Sequence, residues 1–444
     1  MKKLISKNLN LFIIIFTGNI IFLLLVLKFF SFNVNYYDQI FYLQKFLKPY
    51  ENIKLFLDNN FSVVFFLLSS IFFLLNFSYE IKILFLLFLN TVCILIPLFY
   101  ARKNKNFIYL FFVYVGNPFF WYSSIHSFHP DVLALPLITY AIFNIEKNNK
   151  ELFFFLLILI VLIKKVFFFI SLGLLIFFII KKKIKINYLI FFLFFITIYF
   201  LFTFYYFDLT ISKSFFLLNK EHNYFLDIFN FLLTLILIYL SFHLYRDSDK
   251  YWIIVVPLLI FYFLYPSPNL KKYYYHYYIL FLPIFLFYLS EFNFTSKIKK
   301  NILLFNSIIL IVFSTSPFSL FFYFNQSFKF DNFLFNQNYK YLNDVFAYVN
   351  SLPKKHNNII ISNSIGNYNF LKDYNIDIFP NNINSNLDRI IILDSNNYYI
   401  YDQNCSKINV NQCSSENIDK LSEFLNSNFE LIHKIDSYEI YVNN

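Results

Sequence analysis

The sequence predicts an all-α polytopic membrane domain followed by a small α/β domain, and three observations lead to this fold class. First, 59% of the 444 residues are apolar and only 14% are charged, whereas about a quarter of the residues in a soluble protein are charged. Second, several apolar runs approach the roughly 20 residues that a helix needs to cross the hydrocarbon core. Third, Asn, Asp and Ser dominate after about residue 325, which separates a membrane domain at 1–324 from a soluble domain at 325–444.

The composition also excludes several functional classes. The four glycines, at positions 18, 116, 173 and 366, stand too far apart for a Walker loop or a GxGxxG turn. The net charge of +11 divides into +15 for residues 1–324 and −4 for residues 325–444. Because the basic residues form short clusters between apolar runs, they indicate membrane topology and not a nucleic-acid interface.

Leu9–Phe30 is predicted to be the first transmembrane helix. It follows Lys2, Lys3 and Lys7, a pattern that a signal peptide shares. Its apolar stretch is too long for a signal peptide, however, and no small-residue cleavage site follows it. We therefore expect an uncleaved helix that leaves the cytoplasm, with residues 31–60 forming the first outer loop.

The apolar run at 61–77 decides on which side of the membrane every later turn lies. If it crosses, the cluster of Arg102, Lys103 and Lys105 faces outward, against the positive-inside rule. We therefore expect a re-entrant or surface helix at 61–77. Together with the first helix, ten further spans give eleven crossings, at 82–100, 107–122, 131–145, 152–163, 166–180, 187–206, 226–244, 251–265, 277–291 and 301–320.

This topology assigns the chain to the cytoplasmic (inner) membrane and puts the domain at 325–444 outside the cell. Compact basic turns then face the cytoplasm, as the positive-inside rule requires. Besides the N-terminal lysines and the cluster at 102–105, they contain Lys147, Lys150, Lys181, Lys182, Lys183, Lys185, Arg246, Lys250, Lys297, Lys299 and Lys300.

The patterns within 325–444 predict a small α/β fold. Its expected elements are an amphipathic helix at Tyr339–Leu352, strands at Asn358–Ser362 and Arg389–Asp394, a helix at about 416–428 capped by Ser415, and a closing hairpin of Phe429–Ile435 and Tyr438–Val442. Cys405 and Cys413, with seven residues between them, form a disulfide in one reading and stay free in the other. Cys93 lies within a span and is expected to fill space there.

Ionisable groups at the outer ends of the spans are the candidate site, because charges in or near a bilayer are costly and mark functional positions. Ammonium and imidazole groups suit a lipid phosphate, and a carboxylate suits the role of base toward an incoming hydroxyl. The candidates are Tyr37 and Asp38 in the first loop, His126, His129 and Asp131 before the span 131–145, Lys164 and Lys165 between two spans, and Lys271, Lys272 and His276 before the span 277–291.

Each candidate also has a structural reading. Asp38 fits a helix cap or a solvated charge, and lysines at helix ends commonly reach toward the interface. His126 and His129 have the i, i+3 spacing of a metal pair, but Pro130 follows directly and no Cys or Glu cluster accompanies them. We therefore expect no metal and no other cofactor.

The order of several short motifs carries further information. They are NYYDQIFYLQ at 35–44, NFS at 60–62, FHPD at 128–131 with LALP at 133–136, KKVFFFISLG at 164–173, HYYILFLP at 276–283, and in the tail IIISNS at 359–364, FP at 379–380 and DRIIILD at 388–394. In this order they resemble the motifs of domain-of-unknown-function family 2079, a prokaryotic family of predicted membrane proteins. The resemblance covers nearly the whole chain, with FHPD and HY…P its more specific parts.

The chain departs from the pattern of that family at four positions. Asn60 stands where the family has His, and Val63 stands where it has Pro. Lys164 and Gly173 are kept, but Lys165 and Val166 replace the acidic pair that follows the family's lysine.

The family is distantly similar to type-C glycosyltransferases, which use polyprenyl-phosphate sugars. The resemblance implies a glycosyltransferase that passes a sugar from such a carrier to a glycan or protein acceptor at the outer face. Asp38 matches the acidic first-loop base, Asp131 the second acidic site, and Lys164, Lys165 and His276 would hold the lipid phosphate. The alternative is a non-enzymatic transporter or a protein that only binds a lipid-linked glycan, although no internal repeat of the transporter kind is visible.

Overall fold

The computed structural model of the chain is mostly helical, with one small sheet. Apart from a few single residues, it describes residues 2–31, 37–50, 62–75, 77–125, 128–207, 252–264, 276–291, 294–312, 339–352, 358–361, 374–378, 389–394 and 425–443. The chain divides into two compact units, which are Met1–Leu23 with Lys45–Phe328, and Leu24–Gln44 with Lys329–Asn444. The domain boundary expected at 324/325 stays a prediction.

The α-helices are numbered in chain order. They are α1 Lys2–Phe30, α2 Tyr37–Leu47, α3 Val63–Leu74, α4 Tyr79–Ala101, α5 Phe107–Val115, α6 Pro118–Ile125, α7 Ala134–Glu146, α8 Lys150–Ile163, α9 Phe168–Ile180, α10 Asn187–Phe207, α11 Trp252–Leu264, α12 Leu282–Ser290, α13 Ser296–Val312 and α14 Tyr339–Ser351. Short 3-10 turns at Pro130–Leu133, Lys165–Phe167 and His276–Phe281 lead directly into α7, α9 and α12.

Side-chain caps explain where several apolar helices begin. The Ser62 hydroxyl accepts a hydrogen bond from the Phe65 amide at the start of α3. Ser78 and Asn149 cap α4 and α8 in the same way. Such a cap satisfies an amide that has no partner within the helix, which is worth about 1 kcal/mol.

Among the described residues, two helices are long and apolar enough to cross a membrane, and these are Asn8–Phe30 of α1 and Tyr79–Ala101. A third candidate is the pair Phe119–Ile125 and Pro130–Glu146, if the two helices, bent by 114°, count as one span. Large apolar side chains are exposed along these and other helices, including Phe12, Leu23 and Phe88. Exposed apolar faces of this extent mark contact with lipid or with another protein.

Most predicted spans coincide with helices, but one differs from the expectation. The run 107–122 is two helices, α5 and α6, because the chain turns at Gly116 and Asn117. The run 61–77 contains only the twelve residues of α3, about 18 Å of helix. The expected outer loop 31–60 contains α2. The span expected at 226–244 lies largely outside the described residues, and the count of eleven stays a prediction.

Contacts join several interhelical turns of the first unit at one end of its helices, which we call the basic end. It comprises the turns 102–106, 147–149 and 181–186 and the end of α12. Three side-chain contacts connect these turns: Asn104 Nδ2 to the Ser290 carbonyl oxygen at 3.0 Å, Lys181 Nζ to Glu291 Oε2 at 3.8 Å, and the ion pair of Lys183 with Glu146. Asn10 of α1 reaches the same end, donating a 2.8 Å hydrogen bond to the Arg102 carbonyl oxygen.

The basic end thus contains the cluster at 102–105 together with the basic turns after α7 and α9. These three turns share one end whether or not residues 61–77 cross, so the non-crossing helix stays a prediction. We expect residue 103 to face the cytoplasm and residue 350 to lie outside the cell. The check is a pair of single cysteines at these positions, in a variant whose three natural cysteines are serines, probed with a membrane-impermeant maleimide. In intact cells only position 350 should react, and labelling at position 103 would contradict the eleven-span topology.

Helices α9 and α11 pack so closely that only a glycine fits at their contact. A methyl group placed on Gly173 would lie 2.3 Å from the carbonyl oxygen of Ile254. Because that oxygen belongs to the backbone, one helix would have to move away. At Gly18 a methyl group would meet only the end of the Leu95 side chain, at 2.9 Å, and that end can rotate.

We therefore expect Gly173→Ala to destabilise the folded protein by about 1–3 kcal/mol, the usual cost of overpacking. Gly18→Ala is the matched control and should cost less. Thermal unfolding of the purified protein in detergent compares the two. Equal melting temperatures for the two variants would show that the contact between α9 and α11 adapts freely.

The second unit contains a five-stranded mixed sheet in the order β2-β1-β3-β5-β4. Strands β1 and β3 are parallel, β2 is parallel to β1, and β5 is antiparallel to both β3 and β4. The strands are β1 Asn358–Ile361, β2 Asn375–Ile378, β3 Arg389–Asp394, β4 Phe429–Ile435 and β5 Tyr438–Asn443. Helix α14 packs on this unit with Leu342, Val345 and Val349 buried, a spacing that places them on one helical face.

The sequence predicted α14, β1, β3 and the closing hairpin. Asp436 forms the hairpin turn with Ser437 and adopts the left-handed conformation, with φ of 53°. Strand β2 was missed although its four residues alternate between polar and apolar, because the run is very short and its polar residues, Asn375 and Asp377, are of types depleted in strands. The helix expected at 416–428 is described only for its last four residues, and Cys405 and Cys413 lie outside the described residues.

Candidate functional site

Three of the polar sequence motifs begin helices of the first unit in the same unusual way. FHPD, KKV and HYY each open on a 3-10 turn that continues as an α-helix. His129 has the extended backbone that a following proline imposes, and Pro130 occupies the first turn, where its missing amide costs nothing. Lys164 is also extended and separates α8 from the turn that begins at Lys165.

These three motifs meet at one end of the helices, which we call the polar end. It comprises Phe128–Leu133, Lys164–Phe167 and His276–Phe281. The turn at Pro130–Leu133 contacts both α8 and the turn at His276–Phe281. Helices α7, α8, α9 and α12 each connect the basic end with the polar end, so the two ends lie at opposite sides of this helical layer.

A buried ion pair lies at the polar end. The Lys164 ammonium is 3.2 Å from Asp131 Oδ1, with side-chain exposures of 8% for the lysine and 1% for the aspartate. Burial weakens solvent screening, so each charge is held chiefly by the other and by neighbouring polar groups. Removing one partner would leave an uncompensated charge inside the helical layer.

Aromatic contacts hold the backbone around this pair. Phe128, two residues before the turn with Asp131, packs against Phe65 of α3 with the ring centroids 5.4 Å apart and the rings tilted. Phe119 of α6 stacks on Tyr278, with centroids 5.3 Å apart. His129 is buried, and its carbonyl oxygen accepts a 3.1 Å hydrogen bond from the Val132 amide. The geometry of the FHPD turn is therefore fixed from several helices.

The structure brings together four of the predicted site residues. Asp131 and Lys164 form the ion pair, and His129 and Lys165 are their neighbours in sequence. Lys165 is half-buried and has no ion-pair or hydrogen-bond partner among the described residues.

The remaining predicted site residues are described in part or not at all. His276 is the first residue of its 3-10 turn, but its side chain lies outside the described residues. Tyr37 and Asp38 are the first two residues of α2, and the same holds for their side chains. Lys271, Lys272 and His126 lie wholly outside the described residues.

Sequence reasoning missed Asn90, which is fully buried at the middle of α4. Its amide nitrogen lies 3.5 Å from the Ser124 carbonyl oxygen, one of the last carbonyls of α6, and its side-chain oxygen has no hydrogen-bond partner among the described residues. The signal was present, because an amide at the centre of an apolar span is costly. Asn90 was missed because an uncharged amide gives a weaker signal in a sequence than a charged side chain does.

Within the part of the chain that the structure describes, no group of three or more His, Cys, Asp and Glu side chains stands close enough to hold a metal ion. The polar end offers charged and hydrogen-bonding groups. A fixed carboxylate, two adjacent ammonium groups and a buried imidazole can bind an anion and orient a polar ligand.

In comparisons with known proteins, no family model, no curated protein and no solved structure matches this chain.

Proposed function

We propose that the chain is a polytopic inner-membrane protein of the type-C glycosyltransferase kind, with about eleven spans and the domain at 325–444 outside the cell. Two span-length helices and the gathering of basic turns at one end support this topology. In this orientation the polar end faces the outer leaflet. The resemblance of the ordered motifs to family 2079 supports the assignment of class.

In this proposal the protein transfers a sugar from a polyprenyl-phosphate carrier to a glycan or protein acceptor at the outer face. Asp38 takes the proton of the acceptor hydroxyl, and the cationic residues of the polar end hold the carrier phosphate. A single displacement would invert the anomeric carbon. No metal or other cofactor has a role.

The observation that supports this proposal most is the buried Asp131–Lys164 ion pair. A charge pair inside an apolar helical layer costs stability, so its presence points to a function. It lies beside Lys165 and His129, at the end of the helices where a lipid phosphate of the outer leaflet would arrive. A basic polar surface beside lipid would suit a ligand that carries an anionic group on a long apolar chain.

A specific observation also favours the non-enzymatic alternative. The helices Phe119–Ile125 and Pro130–Glu146 are bent by 114°, and the FHPD turn leads into the second of them. Transporters commonly place their binding sites at such broken helices. A transporter or a binding protein for lipid-linked glycans would therefore use the same residues.

One experiment distinguishes these functions. Vesicles containing the purified protein receive an undecaprenyl-phosphate sugar that is radiolabelled in the sugar, with a cell-envelope fraction as the acceptor. Transferase activity moves label from the organic-solvent-soluble carrier to the envelope fraction. Label that reaches the vesicle lumen without transfer would indicate a transporter, and label that stays on bound carrier would indicate a binding protein. Vesicles without protein are the control.

A further inference from the structure

We infer that the ammonium of Lys165 binds the carrier phosphate, and that the neighbouring Lys164 is a positioning residue. This inference rests on the proposed function and deepens it. The two lysines are equivalent in sequence, since they are adjacent and follow the same helix. Their surroundings in the structure separate their roles.

The ammonium of Lys164 is already paired with the carboxylate of Asp131. Its ammonium lies 3.2 Å from Asp131 Oδ1, and both side chains are nearly inaccessible to solvent. Moving Lys164 to an arriving phosphate would take from a buried carboxylate its ion-pair partner, which is strongly unfavourable. The pair as a unit has no net charge, so it contributes little to the attraction of an anion.

Lys165 is different on each of these points. Its side chain is half-buried, so its ammonium can be reached from outside the helical layer. Among the described residues it has no ion-pair or hydrogen-bond partner. Lys164 has an extended backbone and Lys165 begins the 3-10 turn, so the two adjacent side chains leave the chain in different directions.

The charge of the ligand agrees with a single free ammonium. A sugar joined to a polyprenyl phosphate is a phosphodiester with one negative charge, and one uncompensated lysine balances it. The Asp131–Lys164 pair then ties the FHPD turn to the end of α8 and so holds the start of the next turn, where Lys165 stands. In this proposal Lys164 positions the turn and Lys165 binds the phosphate.

The test measures binding of undecaprenyl phosphate, the carrier released by transfer, to the full-length protein in nanodiscs by native mass spectrometry. Lys165→Met should weaken binding about 10- to 100-fold, the usual worth of a hydrogen bond to a charged group. Lys165→Arg keeps the charge and should bind within a few-fold of the wild type. The double variant Asp131→Asn with Lys164→Met keeps Lys165 and the net charge but loses the pair that positions the turn, so it should bind several-fold more weakly than the wild type and more tightly than Lys165→Met.

The outcomes separate this inference from the proposed function. Wild-type binding with equal binding by Lys165→Met would overturn the role of Lys165 and leave the proposed function standing. The proposed role of Lys165 would also be overturned, with the proposed function left standing, if Lys165→Arg binds as poorly as Lys165→Met. No binding by the wild-type protein would overturn both. If the double variant fails to fold, the comparison of Lys165→Met with Lys165→Arg still decides.

Discussion

Breaking the Asp131–Lys164 pair on one side should destabilise the folded protein by about 3–5 kcal/mol, the usual cost of leaving one buried charge without its partner. Asp131→Asn leaves the lysine uncompensated, and Lys164→Met leaves the aspartate. Both single variants should unfold at markedly lower temperature than the wild type. Removing both partners together should recover most of the loss, because neither charge of the pair then remains.

The ion pair of Lys183 with Glu146 at the basic end is the matched control. Its side chains are 29% and 33% exposed, and pairs this open to solvent are worth about 1 kcal/mol or less. Lys183→Met should therefore lower the melting temperature only slightly. Thermal unfolding in one detergent compares all variants. Similar losses for the buried and the exposed pair would mean that water reaches Asp131 and Lys164 freely.

Replacing Asp38 by Asn should reduce sugar transfer by about 100- to 10,000-fold, the range that general-base help commonly provides. The substitution keeps the shape of the side chain and removes its ability to take a proton. Insertion into the membrane and binding of the carrier should stay normal. The assay is transfer of label from the carrier lipid in reconstituted vesicles, with the amount of inserted protein measured in parallel.

Asp344, exposed on α14, offers the same chemical change as a control, and Asp344→Asn should leave transfer unchanged. Asp38 also has a structural role to consider, because it is the second residue of α2. A carboxylate in a first helical turn stabilises the helix by about 0.3–1 kcal/mol. A slightly lower melting temperature with normal transfer would assign Asp38 that role and direct attention to Asp131.

The sequence predicted what depends on local pattern. Apolar runs bounded by lysines predicted most of the helices, and the pair Lys164–Lys165 marked the break between α8 and α9. In the tail, Ile359–Ile361 and Ile390–Leu393 marked two strands that pair with each other. These features follow from periodicity and from the cost of burying charge, and both can be recognised in a single sequence.

The sequence could not predict what depends on tertiary packing. Asp131 and Lys164 are separated by a whole helical hairpin, and nothing in either motif states that one charge neutralises the other. The close approach of Gly173 to Ile254 likewise joins distant segments. The 3-10 starts were missed because the same residues are compatible with a regular α-helix, and neighbouring helices decide between the two.

The lengths of the helices between the two ends have a consequence for the surrounding lipid. Pro130–Glu146, Lys150–Ile163, Lys165–Ile180 and His276–Ser290 rise by about 21–27 Å at standard helical geometry, whereas Tyr79–Ala101 rises by about 35 Å. A hydrocarbon core is about 30 Å thick. In the proposed orientation, with the basic end at one interface, the polar end would lie below the other, and the bilayer would have to thin there or water would have to enter.

Such hydrophobic mismatch costs a fraction of a kcal/mol per Å. It also shortens the distance that a lipid phosphate would move from the interface to the polar end. The headgroup can descend a few ångströms beside these short helices without leaving its hydration shell, while its isoprenoid tail stays among the acyl chains. Thicker bilayers would deepen that descent. The acyl-chain length of the host membrane should therefore act on this protein as a control of substrate access.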